Sequence, residues 1–144
     1  MFSIHHDITI KSSPEKIFQA ITTSEGLDSW WTKQSAGIPK MGEEYRFYFT
    51  KGYDWFAKVL MIMENKQIMF KMIHADPDWI DTLLTFTIIK KNDNTCLLRF
   101  DHTEWRSIND HFRRTSYCWA LYMRGLKKYV EEGLITPYGK RTSV

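Results

Sequence analysis

Between Asn109 and Glu132 the side chains Phe112, Thr115, Ser116, Trp119, Tyr122, Met123, Leu126, Tyr129 and Val130 recur at helical spacing. Arg113, Arg124, Lys127, Lys128 and Glu131 fall mainly on the other side. A run of this length makes about six turns and carries an apolar stripe down one face. Such a helix crosses a whole sheet, and its stripe must be covered by one. Ser107, with Asp110 three residues on, is the expected cap at its start, and Gly133 the expected C′ residue at its end. The helix therefore reads as the last element of the domain core.

What precedes it is mostly strand. From Phe2 to Lys11 apolar and polar residues alternate, with Ile4, Ile8 and Ile10 on one face. Ser13-Pro14-Glu15 then starts a helix, because Ser13 can cap, Pro14 suits the first helical position and Glu15 favours the positive end of the helix dipole. Ile17, Phe18 and Ile21 form a short stripe, and Thr22-Thr23-Ser24 interrupts it before Glu25 to Trp31, which predicts two short helices meeting at a kink. From Gly42 onward the period becomes two. Tyr45, Phe47 and Phe49 share a face; Trp55, Ala57, Val59, Met61 and Met63 share the next; Ile68, Phe70, Met72 and His74 form a third stripe. Leu84, Phe86 and Ile88 form a fourth, and Cys96, Leu98, Phe100, His102 and Glu104 a fifth. The expected fold is α+β: a bent six-stranded antiparallel sheet wrapped around the long helix, with two short helices after the first strand.

At 144 residues a single domain is expected over 1–144, its core at about 2–133 and its tail at 134–144. Twenty basic against 17 acidic side chains leave a net charge of +3, too small to suggest a protein that tracks phosphates. Arg106, Arg113, Arg114, Arg124, Lys127 and Lys128 outnumber the acidic residues near the long helix, which reads as a solvated face; Arg113-Arg114 is also where an acidic ligand group would be met. The first residues have neither a basic start nor a long apolar stretch, and no segment approaches the length of a membrane span. Two cysteines, Cys96 and Cys118, fit a reducing compartment, so a cytoplasmic location is expected. The unusual component is aromatic: six Trp, seven Tyr and nine Phe must fill a core or line a pocket.

Several stretches carry a resemblance together. They are Ser13-Pro14-Glu15-Lys16-Ile17-Phe18-Gln19-Ala20-Ile21-Thr22, Glu25-Gly26-Leu27-Asp28-Ser29-Trp30-Trp31 and Met41-Gly42-Glu43-Glu44-Tyr45-Arg46-Phe47. The series continues through Cys96-Leu97-Leu98-Arg99-Phe100-Asp101-His102-Thr103-Glu104-Trp105, then Cys118-Trp119-Ala120, and ends at Leu126-Lys127-Lys128-Tyr129-Val130-Glu131-Glu132-Gly133. In order and spacing the chain resembles the activator of heat-shock-protein-90 ATPase homologue family, in its single-domain form, within the START-like and polyketide cyclase superfamily. The resemblance implies a helix-grip fold. It also implies either a lipid-, sterol-, hormone- or polyketide-like ligand between helix and sheet, or a chaperone-cofactor role with a protein partner in a stress response; some relatives in the superfamily cyclise polyketides. In the eukaryotic co-chaperones such a domain follows a separate N-terminal domain, for which this length leaves no room, and that weakens the co-chaperone expectation.

Candidate ligand-binding residues follow from strand parity and the helical stripe. Trp30 and Trp31 would form a lid over a cavity, or else plug the core. Phe47, Phe49, Trp55, Phe70, Met72, Leu84, Phe86, Trp119 and Met123 would form its wall, or a filled core with no cavity. His74, His102 and Glu104 end apolar stripes; the last two, two residues apart, are expected to face the same way and to hydrogen-bond a ligand. No metal site, cofactor or catalytic residue is assigned, because none of the glycine-rich phosphate loops, nucleophile elbows or paired-histidine motifs is present. A binding protein for a small hydrophobic or aromatic ligand is therefore expected, with neither a nucleic-acid partner nor a membrane span.

Overall fold

The computed structural model describes residues 1–143. Strand β1 (Phe2–Ile10) leads into α1 (Pro14–Thr22) and α2 (Ser24–Trp30), followed by β2 (Gln34–Ala36) and β3 (Glu44–Thr50). Next come β4 (Tyr53–Met63), β5 (Gln67–His74), β6 (Leu83–Asn92) and β7 (Thr95–Trp105), and α3 (Asp110–Glu132) closes the order, apart from a 3-10 turn at Tyr138–Lys140. The sheet has seven strands in the order β1-β7-β6-β5-β4-β3-β2, all pairs antiparallel. The strand beyond the expected six is β2, whose three residues are too short to leave a periodic signal.

The local signals explain the helix ends. Ser13 Oγ accepts from Lys16 N, and Thr23 serves both short helices, closing α1 through its N–H to Gln19 O and capping α2 through its hydroxyl to Gly26 N. At that corner Gly26 lies so close to α1 that an added Cβ would sit 2.6 Å from Ala20 Cα and O. The cap of α3 is Asn109 and not Ser107: Asn109 Oδ1 accepts from Phe112 N at 2.9 Å. Gly133 ends the helix in the left-handed region, φ 70°.

Helix α3 runs along the edge strand β1. Lys127 Nζ donates to Thr9 O, Lys11 N donates to Glu131 Oε2 at 2.7 Å, and His6 Nε2 donates to Ser116 O at 3.0 Å. Contacts of this kind cover strand polar groups that would otherwise invite another chain. Between helix and sheet the rings are tightly packed: Phe47, Phe70, Phe86, Phe100 and Trp119 are all buried, and Phe100 lies 4.2 Å from Trp119 between centroids. Most of the helix–sheet space is therefore a filled core.

The tail beyond Gly133, expected to stand outside the core, is tied back to it. Arg141 is buried, and its guanidinium donates to Thr32 O at 2.8 Å, Asp28 O at 2.6 Å and Thr136 O at 3.0 Å. A buried guanidinium persists only when its donors find acceptors, and here three carbonyls supply them.

Three β-bulges redirect side chains that strict alternation would place inside. In β4 the register slips between Val59 and Met61, so Val59 is buried while Leu60, Met61 and Met63 are exposed. In β5 the pairs Ala57–Met72 and Phe56–His74 skip Ile73, and His74 ends up exposed against the ring of Phe56. In β7 the pairs Ile4–His102 and Phe2–Trp105 leave Glu104 as an extra residue with φ 69°, exposed, and Trp105 takes the inward position.

Candidate ligand pocket at the open end of the helix–sheet groove

One end of the groove is open. There the N-terminal half of α3 meets the β3–β4 hairpin and the β5–β6 connection, around a pocket of about 370 Å³. Its wall takes Trp31 from the end of α2, and Phe49, Thr50, Tyr53 and Trp55 from the hairpin. Asp76 and Trp79 come from the connection, and Tyr138 from the tail that Arg141 anchors. From α3 come His111, Arg114, Thr115, Cys118, Trp119 and Tyr122, whose spacing of three, four and seven residues is that of one helical face.

The rings of the wall brace one another. Trp31 contacts Phe49 and Trp119 at centroid distances of 5.4 and 5.1 Å, and Trp55 contacts Phe49 and Trp79 at 5.1 and 4.7 Å. Such pairs add about 0.5–1.5 kcal/mol each beyond burial, so the wall is held in shape without a ligand. The connection is fastened too. Arg106 donates to Ile80 O and Pro77 O, and Asn109 Nδ2 and His111 Nδ1 both reach Asp78 Oδ2. The His111 hydrogen bond holds the Asp78 carboxyl below the usual carboxylate range.

Under the wall lies a directional relay. Trp119 Nε1–H donates to His102 Nδ1 at 3.1 Å, which fixes the imidazole as the tautomer protonated on Nε2. That nitrogen donates to Thr82 Oγ1 at 2.9 Å, and Thr82 Oγ1 donates to Trp79 O at 2.6 Å. His102 thus links two tryptophan residues of the wall without facing the pocket. Its burial, with a smaller contribution from the charge of His111, pushes its pKa down to about 3, so the ring is neutral.

The expected site residues divide accordingly. Trp31, Phe49, Trp55 and Trp119 line the pocket. Trp30 does not form a lid: it stacks behind Trp31 at 5.9 Å, and its Nε1–H donates to Ala20 O. Phe47, Phe70, Met72, Leu84, Phe86 and Met123 are buried in the filled core, and His102 is buried in the relay. His74 and Glu104 are turned to solvent by their bulges, so the expected His102–Glu104 pair does not form.

Sequence reasoning missed Thr50, Tyr53, Asp76, Trp79, His111, Thr115, Cys118, Tyr122 and Tyr138 as wall residues; of the Arg113-Arg114 pair expected to meet an acidic group, Arg114 is in the wall and Arg113 is not. The 111–114/115–118–122 spacing was a readable signal for the α3 members. Nothing local marked Trp79 or Tyr138, which a loop and the tail deliver.

The polar chemistry of the wall is mostly that of protonated donors. Burial pushes the Tyr122 hydroxyl up to about 12 and the Cys118 thiol above its ordinary value, so neither is poised as a nucleophile. Trp79 Nε1–H and Trp105 Nε1–H are buried with no acceptor among the described residues. Among the described residues no group of three or more His, Cys, Asp or Glu side chains is placed to hold a metal ion. Among the same residues no helix is long and apolar enough to cross a membrane.

The family model described as activator of Hsp90 ATPase homolog 1-like protein matches residues 11–131. The chain belongs to this family. Among solved structures, the family member is similar to the Aha1 dimer from Colwellia psychrerythraea, at 34% identity and a TM-score of 0.83, covering 92% of this chain and 98% of that one. The fold also matches protein SSP2350 from Staphylococcus saprophyticus, at 14% identity and TM-score 0.78, over 94% of this chain and 96% of that one. CalU16 from Micromonospora echinospora matches at 12% identity and TM-score 0.73, over 97% and 83% of the two chains. These last two likenesses show the fold alone. No curated protein matches the chain. As a family member the chain carries the helix-grip architecture expected from its element order.

Proposed function

We propose that the chain binds a small, flat, largely apolar molecule in the pocket walled by Trp31, Trp55 and Trp119, without turning it over. The observation that carries this reading is the contrast between a helix–sheet interior filled with rings and an opening of about 370 Å³ whose walls are aromatic, unlike the opening of similar volume between α1 and the C-terminal end of α3. That volume falls within the range of small-molecule sites, which are mostly apolar with a few placed polar groups. A binding role is favoured over cyclase or hydrolase chemistry. His102 is neutral, buried and hydrogen-bonded through both ring nitrogens, and Glu104 faces solvent, so neither reaches a proton in the pocket.

Mass spectrometry of small molecules that co-purify with the native protein, followed by titration of the recovered compound under amide NMR, tests the reading. Shifts confined to Trp31, the β3–β4 hairpin, the Asp76–Trp79 segment, the N-terminal half of α3 and the turn at Tyr138 are the expected result. Saturable shifts elsewhere, or none with any recovered or panel compound, refute it.

The family's description and the 34% identical Aha1 relative favour a second reading, a protein-interaction module acting on a chaperone ATPase. It predicts that saturating protein raises the ATP turnover of a chaperone from the same source; an unchanged rate sinks it. The relative is a dimer, and sedimentation would show whether this chain pairs as well. Both cysteines are free thiols, which supports the cytoplasmic location that their number suggested.

A further inference from the structure

The pocket's one arginine and one carboxylate, Arg114 and Asp76, are not paired with each other. Of the arginines described, Arg46 and Arg99 are paired with Asp54 and Asp7, and Arg106 and Arg141 are spent on backbone carbonyls. Arg113, Arg114 and Arg124, all exposed, have neither an ion pair nor a side-chain hydrogen bond among the described residues, and of the three Arg114 alone stands in the pocket wall. From His111 to Val130 the helix contains no Asp or Glu at all. The wall's one carboxylate, Asp76, already has His111 Nε2 at 4.0 Å. Against it stand the guanidinium of Arg114 and the hydroxyls of Tyr53, Tyr122 and Tyr138, none of which has a protein acceptor among the described residues.

We propose, resting on the pocket reading above, that the ligand is an aromatic acid whose ring lies against Trp31, Trp55 and Trp119 and whose carboxylate pairs with Arg114. A planar guanidinium with free N–H groups matches a carboxylate in two parallel hydrogen bonds, which a lysine or a hydroxyl cannot reproduce. A neutral hydrocarbon would fill the same walls and leave that donor set unused. An acid uses both halves of the site.

Calorimetric titration with 2-naphthoate and 2-naphthamide, which share a ring system and differ in charge, tests the assignment on the whole chain. Native protein is expected to prefer the acid by about ten- to a hundredfold, as charge-assisted hydrogen bonds do. Arg114→Gln should abolish that preference while leaving the amide's affinity within about twofold, and Arg113→Gln, one residue away but off the wall, should keep it. Equal binding of the two probes to native protein overturns the acid assignment and leaves the pocket reading standing. A preference that survives Arg114→Gln, or falls equally in Arg113→Gln, assigns it to the general field of the helix and overturns the role of Arg114. If neither probe binds, the aromatic-acid assignment is overturned, and the pocket reading is decided by the recovered compounds alone.

Discussion

Replacing His102 by Gln probes the relay that links Trp119, Thr82 and the Trp79 carbonyl. At neutral pH the native imidazole makes two hydrogen bonds, at 3.1 and 2.9 Å, in a site from which water is excluded. An amide of similar reach recovers them only in part, so His102→Gln is expected to cost about 1–2 kcal/mol near pH 7.5. Acid reverses the comparison. In the folded chain the ring titrates at about 3, against an ordinary 6.5, because burial disfavours the imidazolium. Between those values the unfolded chain binds a proton that the folded chain refuses, so native stability falls as pH drops, by about 1.4 kcal/mol per unit. From about pH 7.5 to about pH 4.5 this single group removes roughly 2–3 kcal/mol, and His102→Gln has no such group to lose.

Equilibrium urea unfolding of both proteins at the two pH values isolates the effect, because carboxylates and other groups act equally on each and cancel in the difference. The native advantage seen at neutral pH should shrink, vanish and change sign in acid. A difference that stays constant from about pH 7.5 to about pH 4.5 would show that the imidazole is solvated or charged in the fold, and would refute the relay.

Gly26→Ala should destabilise by about 2–4 kcal/mol in the same assay, because its Cβ would stand 2.6 Å from backbone atoms of Ala20 that cannot rotate away. Arg141→Met keeps the length of the side chain but loses the hydrogen bonds to Thr32, Asp28 and Thr136; it should cost about 2–3 kcal/mol and speed amide exchange around Tyr138, and unchanged exchange would argue against the anchor. Glu104→Gly should stabilise by about 0.5–1 kcal/mol, since φ 69° strains any side chain, and any loss of ligand binding in this variant would contradict the outward placement of Glu104.

The element order was legible because each boundary has a local chemical cause. Ser13-Pro14 starts α1, Thr23 breaks and restarts the helix, and Gly133 stops α3. Parity was legible only as far as the first bulge in each strand. Val59 is buried where alternation places it, and Met61 is exposed because Leu60 is an extra residue. The same fault separates His74 from Met72, and Glu104 from His102. Nothing in the composition of these stretches announces an inserted residue, since a bulge is decided by how two strands share a twist. The three polar stripe ends failed for two different reasons: bulges turned His74 and Glu104 outward, while His102 kept its parity and was absorbed into the core. The pocket suffered in another way, since Trp79 and Tyr138 reach it from segments with no period to read.

Counting rings therefore cannot separate core from pocket, but following their polar tips does. Trp30 Nε1–H is spent on Ala20 O, the Tyr45 hydroxyl on Thr22 O and Trp119 Nε1–H on His102. Each of these rings is locked by the chain itself, and a polar tip satisfied inside the fold has nothing left to offer a ligand. At the open end the accounting differs: the hydroxyls of Tyr53, Tyr122 and Tyr138 and the Nε1–H of Trp79 have no protein partner among the described residues. Trp119 belongs to both sets, since its nitrogen points back into the relay while its ring forms wall. The residue that makes the pocket floor rigid is thus the one whose polar group the fold has already consumed, and under the proposed binding role recognition of polar ligand atoms would fall to the rim, where Arg114 and the tyrosines stand.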